Sequence, residues 1–100
     1  MDQCNAADVA LVDLRDAAER EVDGVIPGSI HAPYTGLEPL IKPGGMLREM
    51  VGTTGRRLIY YCAYGERSAM AVESSQEMGL ENVCHLVGGI DAWAKAGGPI

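Results

Sequence analysis

The stretch Leu58-Ile59-Tyr60-Tyr61-Cys62-Ala63-Tyr64-Gly65-Glu66-Arg67-Ser68 decides the fold. Leu58 to Tyr61 is an apolar, β-branched and aromatic run too short to be a helix, so it reads as a buried strand. Gly65 then supplies a bend, and Ser68 opens a helix-forming segment that runs without Gly or Pro to Met78 and is closed by Gly79. Cys62 therefore falls at the carboxyl end of a strand. In open α/β sheets that edge is where ligands bind, and a helix amino terminus beyond the loop turns unpaired N–H groups and partial positive charge towards it. Such surroundings favour a thiolate, the reactive form of cysteine.

Outward from this centre, strands alternate with helices. Val83 to Val87 is a second apolar strand, Gly88-Gly89 a turn, and Ile90 to Ala96 a last helix ended by Gly97-Gly98. On the amino-terminal side, Val9 to Leu14 is apolar apart from Asp13, the pattern of a strand covered on both faces. Asp16-Ala17-Ala18-Glu19 has capping-box spacing and predicts a short helix to about Val22. Ser29 to Ala32 is a short extended piece. Proline and glycine then break the chain as far as Gly55, leaving room for helical turns at Leu37 to Ile41 and Met46 to Val51, with Gly52 to Gly55 as a loop. This alternation predicts an α/β fold whose parallel strands are joined by right-handed crossovers.

One hundred residues, 47% of them hydrophobic, suit one globular domain spanning residues 1–100. No apolar run approaches the roughly 20 residues of a membrane span. Residues 1–8 carry two acids and no base, unlike a signal peptide. A soluble, cytoplasmic protein is the expectation. A net charge of -6 argues against nucleic acid or an anionic membrane as partner. Three cysteines without CxxC spacing suggest a reducing compartment.

On residues alone, Cys62 has two readings: a buried core cysteine or a reactive thiol. The small Ala63, the bend at Gly65 and the charged Glu66 and Arg67 surround it with polar, backbone-rich loop. Cys84, inside the apolar run, reads as an inert core residue, and Cys4 as an exposed terminal one. Cys4, Cys62, Cys84, His31 and His85 lack the paired spacing of a structural zinc site, so no metal and no cofactor is expected. His31 and His85 read as local hydrogen-bonding groups. Ile90 and Trp93 read as the buried face of the last helix.

Four segments, in order, carry a resemblance that covers nearly the whole chain. Val12-Asp13-Leu14-Arg15 resembles the first-strand signature of the rhodanese-like sulfurtransferases. Gly24 to Pro33 resembles their Gly-His-Ile-Pro-Gly-Ala segment, and Cys62-Ala63-Tyr64-Gly65-Glu66-Arg67-Ser68 their Cys-x-x-Gly-x-Arg-Ser active-site loop. Val87-Gly88-Gly89-Ile90-Asp91-Ala92-Trp93 through Pro99 resembles their carboxyl-terminal signature. Val25 departs from the family's frequent histidine, and Arg20 stands near where an aromatic residue is common.

The resemblance implies a central parallel sheet flanked by helices on both faces. It also implies a catalytic Cys62 that carries sulfur as a persulfide between a small donor, such as thiosulfate or a persulfide, and a thiol or protein acceptor. Ala63, Tyr64, Gly65, Glu66, Arg67 and Ser68 would form the substrate-binding loop, its N–H groups holding the sulfur anion as preorganised donors hold an oxyanion. Arg67 would orient a donor or brace the loop. Glu66 either points to solvent and pairs with Arg67 or faces the pocket, with the solvent reading favoured. Asp13 and Arg15 read as a structural pair. A noncatalytic binding module and a cysteine phosphatase are the alternatives. The phosphatase pattern has five residues between Cys and Arg where this chain has four, and Ser68 stands in the place of that arginine.

Overall fold

Side-chain alternation along two adjacent strands sets the layers. The computed structural model describes residues 9–98. Four strands, β1 (Val9–Asp13), β2 (Ile30–His31), β3 (Arg57–Tyr61) and β4 (Val83–His85), form one parallel sheet in the order β2-β1-β3-β4. Successive side chains point to opposite faces of a strand. On one face Ala10, Val12 and Leu14 join Leu58, Tyr60 and Cys62 in the larger core, with Leu37, Ile41, Leu47 and Ala71 from the helical side. On the other face Tyr61 packs with Ile26 and Ile90, and Leu11, Leu86 and Trp93 close over them. Both faces are therefore covered, as an all-parallel sheet requires.

The helices are α1 (Ala17–Asp23), α2 (Glu38–Ile41), α3 (Met46–Thr54), α4 (Glu66–Glu77) and α5 (Gly89–Lys95), with a 3₁₀ turn at Tyr34–Gly36. The capping box opens α1 as its spacing predicts: Glu19 N donates to the Asp16 carboxylate and Asp16 N to that of Glu19. Three boundaries differ from expectation. Helix α3 continues through Gly52 and stops only at Gly55, whose left-handed backbone forms the cap. One internal glycine costs a helix only about 1 kcal/mol, less than a seated helix gains by packing Leu47 into the core. Helix α4 begins at Glu66, two residues early, so Glu66 and Arg67 belong to its first turn rather than to a loop. Strand β4 ends at His85, short of the expected Val87, and Val87 is exposed.

Candidate active site

Cys62 follows directly on β3, and the chain turns back within three residues. Gly65 makes that turn possible: its φ of 115° is one that side chains disfavour, and it places α4 with its amino terminus over the sulfur. Gly65 N donates to Cys62 Sγ at 3.1 Å. Cys62 is completely buried. Burial opposes a thiolate, yet the backbone N–H groups of Ser68, Gly65 and Arg67, together with the Ser68 hydroxyl, outweigh it and hold the thiol below its ordinary value. Ser68 Oγ lies 3.8 Å from Cys62 Sγ, is fully buried, and also contacts Gly65 O and His85 Nδ1, each at 3.1 Å.

Two neighbouring elements fix this loop. Arg67 donates through both Nη atoms to the carboxylate of Glu19 on α1, at 2.9 and 2.8 Å. That pairing brings Glu19 down to about 2. It also raises Arg67, to which Cys62 adds a smaller upward push through its proximity. From the other side, Ile90 N and Asp91 N in the first turn of α5 donate to the carbonyls of Cys62 and Ala63 at 2.9 and 3.1 Å. Gly89 permits the approach, because a Cβ there would run into those same two carbonyls.

The sequence-derived residues are distributed as follows. Cys62, Gly65, Arg67 and Ser68 converge on the sulfur. Tyr64 is 65% exposed on the outer rim, and Ala63 and Tyr64 line a shallow cavity of about 170 Å³ with Asp23, Ile90, Asp91 and Ala94. Glu66 is exposed, but the expected partnership with Arg67 is corrected, since Arg67 takes Glu19 instead. Asp13 and Arg15 are both buried and joined by two side-chain hydrogen bonds, at 3.0 and 2.9 Å. Burial alone would raise the Asp13 carboxyl, but the hydrogen bonds from Arg15 and Tyr61 hold it below the usual range.

Arg15 also donates to Gly24 O, and His31 Nε2 lies 2.8 Å from Arg15 O, so this pair ties the turns after β1 and α1 to the end of β2. Cys84 is half-buried and disulfide-bonded, not a core thiol as expected. The reading of Cys4 falls outside the described residues. Glu19 and His85 were not singled out as site residues: Glu19 signalled only a helix cap, and nothing in the spacing of His85 pointed to Ser68. Among the described residues, no group of three or more His, Cys, Asp or Glu is placed to hold a metal ion, and no helix is long and apolar enough to cross a membrane.

Fold and site together define a parallel α/β domain that presents a buried cysteine to a ring of backbone amides at the carboxyl edge of its sheet. The model of the rhodanese-like domain matches residues 1–96, and the chain belongs to that family. It is similar to a sulfurtransferase of Allochromatium vinosum, 37% identical over 93 residues that cover 93% of this chain and 78% of the relative. It is also similar to the probable adenylyltransferase/sulfurtransferase MoeZ of Mycobacterium tuberculosis, 35% identical over 89 residues; these are 87% of this chain, which spans only 20% of that relative's length. Among solved structures, a protein of unknown function and possible tyrosine phosphatase from Rhodopseudomonas palustris superposes with a TM-score of 0.84 at 44% identity, over 95% of this chain and 72% of that one.

Proposed function

We propose that this chain is a sulfurtransferase that moves a sulfane sulfur from a small donor such as thiosulfate to a thiophilic acceptor through a persulfide on Cys62. The observation that carries the reading is the buried Cys62 sulfur, held by Gly65 N at 3.1 Å and lowered in pKa by the first N–H groups of α4. The thiolate attacks the outer sulfur of thiosulfate, the donor's S–S bond breaks, and sulfite leaves with the bonding electrons. The new terminal sulfur carries the negative charge, which the loop amides offset as it forms. A thiol or protein acceptor then attacks that sulfur, and Cys62 leaves as the thiolate. Relatives named for sulfur transfer support this reading.

The possible phosphatase among the similar structures favours a second reading, a cysteine phosphatase. Against it, Arg67 has both Nη atoms committed to Glu19, and the span from Cys62 to Arg67 offers few N–H donors for three equatorial phosphoryl oxygens. Intact mass after incubation with thiosulfate tests the proposal. A gain of one sulfur atom, removed by a thiol reductant and accompanied by no turnover of aryl phosphates, is expected. Aryl phosphate turnover that depends on Cys62, without sulfur uptake, would overturn it.

A further inference from the structure

We propose that His85 is a positioning residue for Cys62, acting through the Ser68 hydroxyl to take up the thiol proton and hold the resulting thiolate. This rests on the reading of Cys62 as the reacting thiol. The three side chains come from three elements: Cys62 from the end of β3, Ser68 from the first turn of α4 and His85 from the end of β4. Ser68 Oγ is completely buried, 3.8 Å from Cys62 Sγ and 3.1 Å from His85 Nδ1. His85 is half-buried, so the chain of contacts runs from a sealed sulfur to a residue that is partly exposed.

A hydroxyl has one proton to give and can accept from two sides. With Cys62 as a thiol, S–H donates to Ser68 Oγ, and the Ser68 proton is shared between Gly65 O and His85 Nδ1. On ionisation the thiol proton passes to Ser68 Oγ while the Ser68 proton passes to His85 Nδ1. The products are the Cys62 thiolate and a His85 imidazolium. The two contacts along the relay then reverse, with Nδ1–H donating to Oγ and Oγ–H to the sulfur, while Gly65 O keeps Ala69 N as its donor. The imidazolium gives its Nε2 proton to water, which leaves Nδ1–H in place and the thiolate held. The loop amides can stabilise the anion but cannot carry its proton away; His85 does that, whereas the midpoint depends only on how the finished thiolate is held, here by Nδ1–H through Ser68 Oγ.

Among the described residues, the charged groups on the elements packed against β4 are engaged elsewhere or exposed. On β3, Tyr60 is the register partner of His85, with its hydroxyl 2.6 Å from Ser75 Oγ, and Arg57 donates to Asn82. On α4, Arg67 is held by Glu19, while Glu66, Glu73 and Glu77 are exposed. On α5, Lys95 pairs with Asp91.

The rate of iodoacetamide alkylation at Cys62, followed against pH by peptide mass, reports the thiolate without any sulfur donor. His85→Ala is expected to raise the midpoint by about one unit, a tenfold smaller thiolate fraction at a fixed pH below it. His85→Asn, whose amide nitrogen occupies the place of Nδ1 and donates but does not titrate, is expected to restore the midpoint. Ser68→Ala should shift it as His85→Ala does, and the double variant no further than either.

A midpoint unmoved by His85→Ala, a shift that Asn does not rescue, or additive shifts in the double variant would overturn the proposal. If His85→Ala does not fold by circular dichroism, His85→Gln, with its amide one bond further out, is the loss variant. A protein that alkylates as expected but takes up no sulfur would overturn the function proposed above and leave this relay standing. One that takes up sulfur with an unmoved midpoint would overturn only the relay.

Discussion

Arg67 and Glu19, 48 residues apart in the chain, meet as a two-pronged pair at 2.8 and 2.9 Å and so fasten the first turn of α4 to α1. The same carboxylate accepts from Asp16 N to cap α1. One side chain thus sets both the start of a helix and the position of the cysteine loop, and its loss is felt at both places.

Glu19→Gln is expected to lower stability by about 1 kcal/mol at neutral pH, the discounted worth of a pair whose side chains are 31% and 28% exposed. The folded carboxyl titrates at about 2 against an ordinary 4.5. A depressed acid contributes stability that is fully present above its unfolded value and lost as pH falls through the folded one. The gap in Tm between wild type and Glu19→Gln should therefore be complete above pH 4.5 and close as pH falls towards 2. A gap that widens on acidification would remove Glu19 from this role.

Cys62→Ser is expected to abolish sulfur uptake and transfer, while Cys84→Ser, still folded by circular dichroism, retains both. Cys62 is the free cysteine among the described residues, and Cys84 is disulfide-bonded. Equal loss from the two variants, measured by intact mass after thiosulfate, would replace this mechanism with a two-cysteine one.

Gly89→Ala is expected to cost about 2 kcal/mol or more and to disable the loop. Its backbone lies at a φ of 65°, and the added methyl would meet the carbonyls of Cys62 and Ala63, which are main chain and cannot swing away. Urea unfolding measures the first effect and the alkylation rate of Cys62 the second. Wild-type values in both would mean that α5 does not support the loop.

Glu66→Gln is expected to leave kcat/KM for thiosulfate within about twofold and its salt dependence unaltered, because Glu66 is exposed and Arg67 is occupied elsewhere. A gain of about tenfold that shrinks with salt would mean that this carboxylate repels the donor.

The strands and the position of Cys62 were legible because both signals are local. Val9 to Leu14 and Leu58 to Tyr61 are apolar over the length of a strand, and the bend at Gly65 follows within three residues of the cysteine. The start of α4 is hidden in the sequence because Glu66 and Arg67 look like loop residues. A helix whose first N–H groups are taken by a sulfur needs no serine cap, so Ser68 was free for other contacts. The pairings of Glu19 with Arg67 and of His85 with Ser68 leave no trace in the sequence because each is made by the packing of two elements. No periodicity within either element encodes it.

Tyr60 and Tyr61 send their hydroxyls to opposite sides of β3. One lies 2.6 Å from Ser75 Oγ on α4; the other donates to Asp13 at 2.9 Å and accepts from Ile26 N at 3.2 Å. Adjacent identical side chains do not blur the alignment of this strand with its neighbours; they proofread it. A slip of one residue seats one phenol in the other's place and carries the second to the opposite face. That second hydroxyl is then buried away from its partners, and the group left behind is Ser75 in one direction of slip and Asp13 with Ile26 N in the other. Each buried polar group left unsatisfied costs about 1 to 3 kcal/mol. The strand that delivers the cysteine therefore has its error correction built in immediately before the residue whose placement matters most.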